Sequence, residues 1–166
     1  PVSGTFRVDV TKDYLAFSSA HFITFRGHKC ECLHGHNYKV AVAVEGGVDD
    51  EALFVLDFAV VKAIAKPMVD GIDHKVLLPT RNPKVAIREK GDRVEVDVFG
   101  EHRYLFPSRD VATLPVANTT VEMMAEWFAR EMKSKLVEAG HGHLTLLEVT
   151  LEESPGQSAT YRLSLP

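Results

Sequence analysis

The chain has 166 residues, 45% of them hydrophobic and 25% charged, about one domain's worth, with enough apolar side chains to build a core without staples. Nineteen Lys and Arg against 23 Asp and Glu leave a formal charge of −4, which argues against nucleic-acid binding, because that needs a basic stripe. No apolar run approaches the ~20 residues of a membrane span. The opening residues Pro1-Val2-Ser3-Gly4-Thr5 carry no basic or apolar leader pattern, so the expectation is a soluble cytoplasmic protein with no membrane partner.

In chain order, strands are predicted over residues 5–10 and 14–22, then over 37–45, where Tyr38, Val40, Val42 and Val44 alternate onto one face. Gly46-Gly47 ends that strand. Asp57 stands at a helix N-cap position before a stripe of Phe58, Val61, Ile64 and Ala65, with Pro67 and Gly71 limiting the helix. Residues 85–106 read as a hairpin, its strands near 93–98 and 103–106 joined about Gly100-Glu101. A second helix opens at a capping box, with Thr119 as N-cap and Glu122 reaching back. Its stripe of Val121, Met124, Ala125, Phe128, Met132 and Leu136 has the spacing of core packing, and Gly140 suits its C-terminus. Strands follow over 144–153 and 159–165. This order describes a single α+β domain with an antiparallel sheet and no repeat or linker.

The chemistry-bearing residues cluster between 21 and 38. Cys30 and Cys32 are the sole cysteines, one residue apart; such a pair closes no useful loop, and in a cytoplasmic chain paired thiols are more often catalytic or metal-binding. His34 and His36 flank Gly35, and on extended backbone that spacing points both rings to one face. With His21, at the end of the preceding strand, they would supply three imidazoles and leave a fourth position open, the form of a catalytic zinc site. The competing reading is turn histidines bonded to backbone. A second such pair, His141-Gly142-His143, reads as a solvated loop. Asp73-His74 is a carboxylate beside an imidazole, an arrangement suited to proton shuttling. Glu153 is in phase with Leu147, Val149 and Leu151, whereas Glu152 is in phase with Glu148 and Thr150. A carboxylate on an apolar face needs a partner: water at a frayed strand end, or a ligand with paired N–H donors.

Taken together, Phe17-Ser18-Ser19-Ala20-His21-Phe22, Cys30-x3-His34-Gly35-His36-Asn37-Tyr38, Leu56-Asp57-Phe58, Ile72-Asp73-His74-Lys75, Thr120-x-Glu122 and Glu153-Ser154 resemble the 6-pyruvoyltetrahydropterin synthase family. That family includes the 6-carboxytetrahydropterin synthases of queuosine biosynthesis alongside enzymes of tetrahydrobiopterin biosynthesis. The resemblance implies a tunnelling fold (T-fold), a four-stranded antiparallel sheet with two helices on one side. It also implies a homohexamer, a dimer of trimers with active sites between subunits. By the same resemblance, His21, His34 and His36 would hold Zn2+, Cys30 would be the general base, and Asp73 and His74 would complete its proton relay. Glu153, with Thr120, would bind the pterin. The implied substrate is 7,8-dihydroneopterin triphosphate, which a lyase of this family converts to 6-carboxy- or 6-pyruvoyl-tetrahydropterin.

Some features depart from the family's pattern. Glu31-x2-His34 also fits a variant motif in which glutamate replaces the cysteine, resembling enzymes that cleave dihydroneopterin as an aldolase does and release 6-hydroxymethyl-dihydropterin. Cys32 matches no family role. Residues 79–114 form an insert bearing Arg81, Lys84, Arg88, Arg93, Arg103 and Arg109 among several acids. The insert is read as a decorated surface hairpin; the alternative is that some of its cations meet a triphosphate. A catalytically silent zinc-bound pterin-binding hexamer is the non-enzymatic alternative, and intact Cys30, Asp73 and His74 argue against it.

Overall fold

The computed structural model describes residues 4–166; Pro1, Val2 and Ser3, part of the segment judged above to lack a leader, lie outside the described residues. Strand β1 (Phe6–Val10) is followed by a 3-10 turn at Asp13–Leu15 and by β2 (Ala16–His21). The second strand therefore starts two residues later than its pattern suggested, because the turn drives Leu15 fully into the core. A short hairpin of β3 (Thr24–Phe25) and β4 (Lys29–Cys30) leads into β5 (His34–Gly46). This long strand begins three residues earlier than predicted, so His34 and His36 belong to it.

Helix α1 (Phe58–Ile72) is capped by Asp57, whose carboxylate accepts the Ala59 N–H at 2.8 Å. Pro67 and Gly71 lie inside it and do not end it. Proline forfeits one backbone bond there, and burial of Val61, Ala65, Val69 and Ile72 along one stripe offsets that loss. After α1 come β6 (Lys75–Pro79), β7 (Val85–Lys90), β8 (Arg93–Val98), β9 (Glu101–Pro107) and β10 (Val111–Leu114). Helix α2 (Val121–Glu138), β11 (Leu146–Ser154) and β12 (Gln157–Ser164) complete the chain.

The main sheet runs β10-β6-β2-β5-β11-β12, with β1 also paired to β5. Strands β1 and β2 occupy successive lengths of one edge of β5, Val10 opposite Val42 and Ala16 opposite Lys39. They act as one interrupted strand, and with β5, β11 and β12 they make the four antiparallel positions. Two strands extend this kernel: β6 runs parallel to β2, and β10 parallel to β6. Both helices cover one face. There Tyr38, Val40, Val42 and Val44 of β5 and Leu147, Val149 and Leu151 of β11 meet Met124, Phe128, Met132 and Leu136 of α2. Full burial of each such side chain contributes about 1.5–3 kcal/mol.

The N-cap of α2 is Thr120, whose hydroxyl accepts the Met123 N–H, and not Thr119. Thr119 is taken up elsewhere: it is fully buried and its hydroxyl donates to the Phe22 carbonyl at 2.9 Å. The insert is also more than a hairpin. Strands β7, β8 and β9 form a three-stranded antiparallel sheet. Val85, Val94, Val96 and Val98 build a second core with Phe22 and Leu78, against which Cys30 and Leu33 pack.

Candidate active site

The alternation of β2 places Phe17, Ser19 and His21 on the helix-covered side, and that of β5 places His34, His36 and Tyr38 there too. His21 and His34 are direct cross-strand partners, and His36 lies opposite Ser19. The three rings meet edge to face, with centroids 4.7–5.2 Å apart, and one nitrogen from each lies within 4.8 Å of the others. Tyr38, fully buried, forms the floor; burial, reinforced by the nearby Glu153 and Glu31 carboxylates, pushes its phenol far up and keeps it neutral.

Backbone carbonyls orient two of the rings. The Nδ1 of His21 is 2.8 Å from the Thr119 carbonyl, and the Nδ1 of His34 is 2.8 Å from the Cys32 carbonyl. A carbonyl can only accept, so each Nδ1 carries the hydrogen and each Nε2 turns a lone pair inward. Burial holds the His21 imidazole below its ordinary pKa, which keeps it neutral. The Nε2 atoms of His21 and His36 are buried without a hydrogen-bond partner.

Two carboxylates close on the same point. Glu153 Oε1 is 3.4 Å from His21 Nε2 and 3.2 Å from His36 Nε2, and Glu31 Oε1 is 3.4 Å from His34 Nε2. Inward lone pairs beside carboxylate oxygens repel one another unless positive charge lies between them. Three imidazole donors with two acids at their rim therefore fit a divalent metal of the zinc type.

Cys30 ends β4, Glu31 follows it, and the two face different ways. Glu31 takes the histidine side. Cys30 borders a separate cavity of about 460 Å3 that β8 and β9 help to line. Its thiol is 3.3 Å from the Glu31 carbonyl, and burial pushes its pKa up against the opposing charge of Arg103. Cys32 is exposed and free.

A family model described as 6-pyruvoyl tetrahydropterin synthase matches residues 9–164. The chain belongs to that family. The chain is 37% identical over 148 residues to a Methanocaldococcus jannaschii protein provisionally named 6-carboxy-5,6,7,8-tetrahydropterin synthase, covering 89% of this chain and 90% of the other. It is 32% identical over 136 residues to the 6-carboxy-5,6,7,8-tetrahydropterin synthase of Aquifex aeolicus, covering 81% and 76%. Among solved structures it is similar to the 6-pyruvoyl tetrahydropterin synthase of Plasmodium vivax, with a TM-score of 0.90, 27% identity, and 98% and 99% of the two chains covered. The α+β tunnelling architecture is thus that of the family, and the chain is an enzyme, a pterin-handling lyase.

The remaining predicted residues lie apart from the ring cluster. Asp73 caps the end of α1, and its Oδ1 takes the Ser18 N–H and the His74 Nδ1, each at 2.9 Å. The Ser18 N–H, then His74, hold this carboxyl below the usual range. His74 is in the left-handed backbone region (φ 57°) with an exposed side chain. It borders a cavity of about 510 Å3 whose lining includes Ser18, Ala20, Gly35 and Asn37, the positions that alternate with the ring-bearing ones, and also Ser19 and His36, so the dyad opens at the outward-facing positions of β2 and β5 and not into the ring cluster. Thr120 serves as the α2 cap. His143 lies against the Val55 carbonyl in a loop, and His141–His143 gathers no ligand group among the described residues. Thr119 was invisible as a site residue: its contribution to His21 is a backbone carbonyl, which no side-chain pattern records.

Proposed function

We propose that this synthase is a zinc-dependent lyase of 7,8-dihydroneopterin triphosphate, acting in the cytoplasm and yielding a 6-carboxy- or 6-pyruvoyl-tetrahydropterin. The observation that carries the reading is the convergence of His21, His34 and His36, two of them with buried, unpartnered Nε2 atoms, on a point flanked by Glu31 and Glu153. Zinc held by these three histidines would polarise the substrate's side-chain oxygens and acidify the adjacent C–H. Glu153 would accept the amino and ring N–H groups of the pterin, a two-pronged contact in which the carboxylate fixes orientation. Cys30 would take the carbon-bound proton as general base, and the relay of Asp73 and His74 would exchange it with solvent.

The dyad faces away from Cys30 within one chain. That position supports a homohexamer in which one subunit's Asp73 and His74 serve the cysteine of a neighbour, with active sites between subunits. The names of the curated relatives favour the 6-carboxy product.

A second reading is favoured by a specific observation: Glu31, not Cys30, is turned to the histidines. Two further Plasmodium vivax synthase structures are variants in which a catalytic glutamate is changed to cysteine or to alanine. With Glu31 as base, the reaction becomes aldolase-like cleavage to 6-hydroxymethyl-dihydropterin. Incubating zinc-loaded protein with 7,8-dihydroneopterin triphosphate and identifying the pterin by mass spectrometry tests both. A carboxy or pyruvoyl product establishes the first reading, and a hydroxymethyl product the second. No turnover removes both.

A further inference from the structure

Among the insert's arginines, Arg88, Arg93 and Arg109 each have a carboxylate within ion-pair distance: Glu95 and Asp97, Asp92, and Asp110 respectively. Arg81 and Arg103 have none among the described residues, and Arg81 lies elsewhere, in a cavity beside α2 with Trp127 and Glu131. Arg103 borders the 460 Å3 cavity that Cys30 also borders, together with His28, His102 and one acid, Glu101. Its Nε donates to the Tyr104 hydroxyl at 3.1 Å, with the guanidinium 5.5 Å from that ring. The outer edge of the fork is left for a ligand.

The cavity is built onto the active site. Tyr104 stacks on Phe22 at 5.4 Å, and Phe22, directly after His21, is buried. On the other wall the His28 ring meets Phe99 at 5.0 Å, and Lys84 lies 5.6 Å over the same ring. His102 is shared with Asp97, so Arg103 is the cavity's permanent positive charge, with Glu101 the acid beside it at the lining. Glu153 and Glu31 border the histidines, and Cys30, beside Glu31, borders this cavity. A substrate anchored by its ring at Glu153 and reacting beside residues 30–31 would carry its tail past Cys30 towards Arg103.

We propose that the cavity between β4 and the insert is an anion subsite, centred on Arg103, that takes the triphosphate tail of the dihydropterin substrate. The assignment rests on the lyase reading above. Chemistry favours it: an unpaired guanidinium binds phosphate oxygens in a planar, two-pronged contact, and a tetra-anionic tail is worth steering to the site. The insert is then part of the substrate pocket, which explains why it buries Phe22 and packs Cys30 against its own core.

The test compares wild type, Arg103→Ala, Arg103→Lys and Arg88→Ala, on dihydroneopterin triphosphate and on dihydroneopterin without phosphate. Arg103→Ala should lower kcat/KM for the triphosphate by roughly tenfold to a hundredfold, mainly through KM. It should leave the unphosphorylated substrate unchanged. Arg103→Lys should recover part of the loss, and Arg88→Ala should resemble wild type. An equal loss on both substrates, or no loss, overturns the subsite. Inorganic tripolyphosphate binding, followed by calorimetry, gives a readout independent of turnover. Binding by wild type that Arg103→Ala abolishes supports the subsite even where neither pterin reacts, an outcome that would reject only the lyase reading. Failure of wild type to bind tripolyphosphate overturns the subsite.

Discussion

Thr119 holds His21 from the start of α2: its carbonyl takes the Nδ1 hydrogen at 2.8 Å while its hydroxyl ties down the Phe22 carbonyl at 2.9 Å. One buried residue therefore sets both the tautomer of His21 and the path of the backbone after it. Thr119→Val keeps the shape and the carbonyl but leaves the Phe22 carbonyl without its donor, at a cost of about 1–3 kcal/mol. Thermal unfolding should show the loss, and zinc affinity, read by competition with a chromogenic chelator, should fall by roughly tenfold or more. An unchanged affinity would show that His21 needs no such support.

Metal content should follow the ring cluster. His34→Ala should remove most of the zinc found in purified protein, while His141→Ala should remove none. Stripping the metal from wild type should lower its melting temperature, and adding zinc back should restore it, because an ion that binds the folded state alone stabilises it by mass action. Full zinc occupancy in His34→Ala would overturn the ligand set.

The opposed orientations of Cys30 and Glu31 make separate substitutions informative. With Cys30 as the base of the lyase, Cys30→Ala should lower turnover by roughly 10²- to 10⁴-fold, with Glu31→Gln the smaller loss; the aldolase-like reading expects the reverse order. If Cys30→Ala alone is inactive, with zinc and assembly intact, the thiol is the base and must rotate towards the substrate.

Glu153 and Glu152 are neighbours with different surroundings: Glu153 faces the rings, while Glu152 pairs in register with Lys39 and Ser158. Glu153→Ala should weaken neopterin binding, followed by pterin fluorescence, by at least tenfold, and Glu152→Ala should change it little. Equal effects would refute the strand phase assigned to Glu153.

On the sheet's other face, Glu148 is clamped by Arg7 at 2.6 Å and Arg162 at 2.8 Å, which hold its carboxyl below the ordinary value. The folded state therefore prefers the ionised form. That contribution is complete above the unfolded pKa of about 4.3 and is lost as pH falls through the lower folded value. Glu148→Gln should melt below wild type at pH 7, and the gap should close as pH falls below the unfolded value and through the lower folded one. A gap that persists there would assign the difference to packing.

Local pattern was enough to read much of this molecule. Alternation along β5 and β11 and the 3.6-residue stripe of α2 are set by which side chains must leave water, and these survive any tertiary context that offers one apolar face. The same alternation named His34, His36 and Glu153 as groups sharing the helix-covered side. Other expectations failed where a residue had two uses. Thr119 and Thr120 both suit an N-cap, and the choice between them fell to the Phe22 carbonyl, a partner 97 residues away. Pro67 signals a helix end, yet the buried stripe around it outweighs one lost bond. Strands β6 and β10 are short and pair in parallel, so their partners come from distant sequence and leave no hairpin signature.

By itself the sequence determined the family, the α+β class and the identity of the three clustered imidazoles, because covalent order and side-chain periodicity carry those. Only the tertiary structure decided that Glu31 and not Cys30 is turned to the histidines, that the Asp73–His74 dyad opens at the outward-facing positions of β2 and β5, and that the insert's Arg103 borders the same cavity as Cys30. Those relationships depend on which way a backbone segment turns once distant strands have packed against it, and no local spacing encodes that turn.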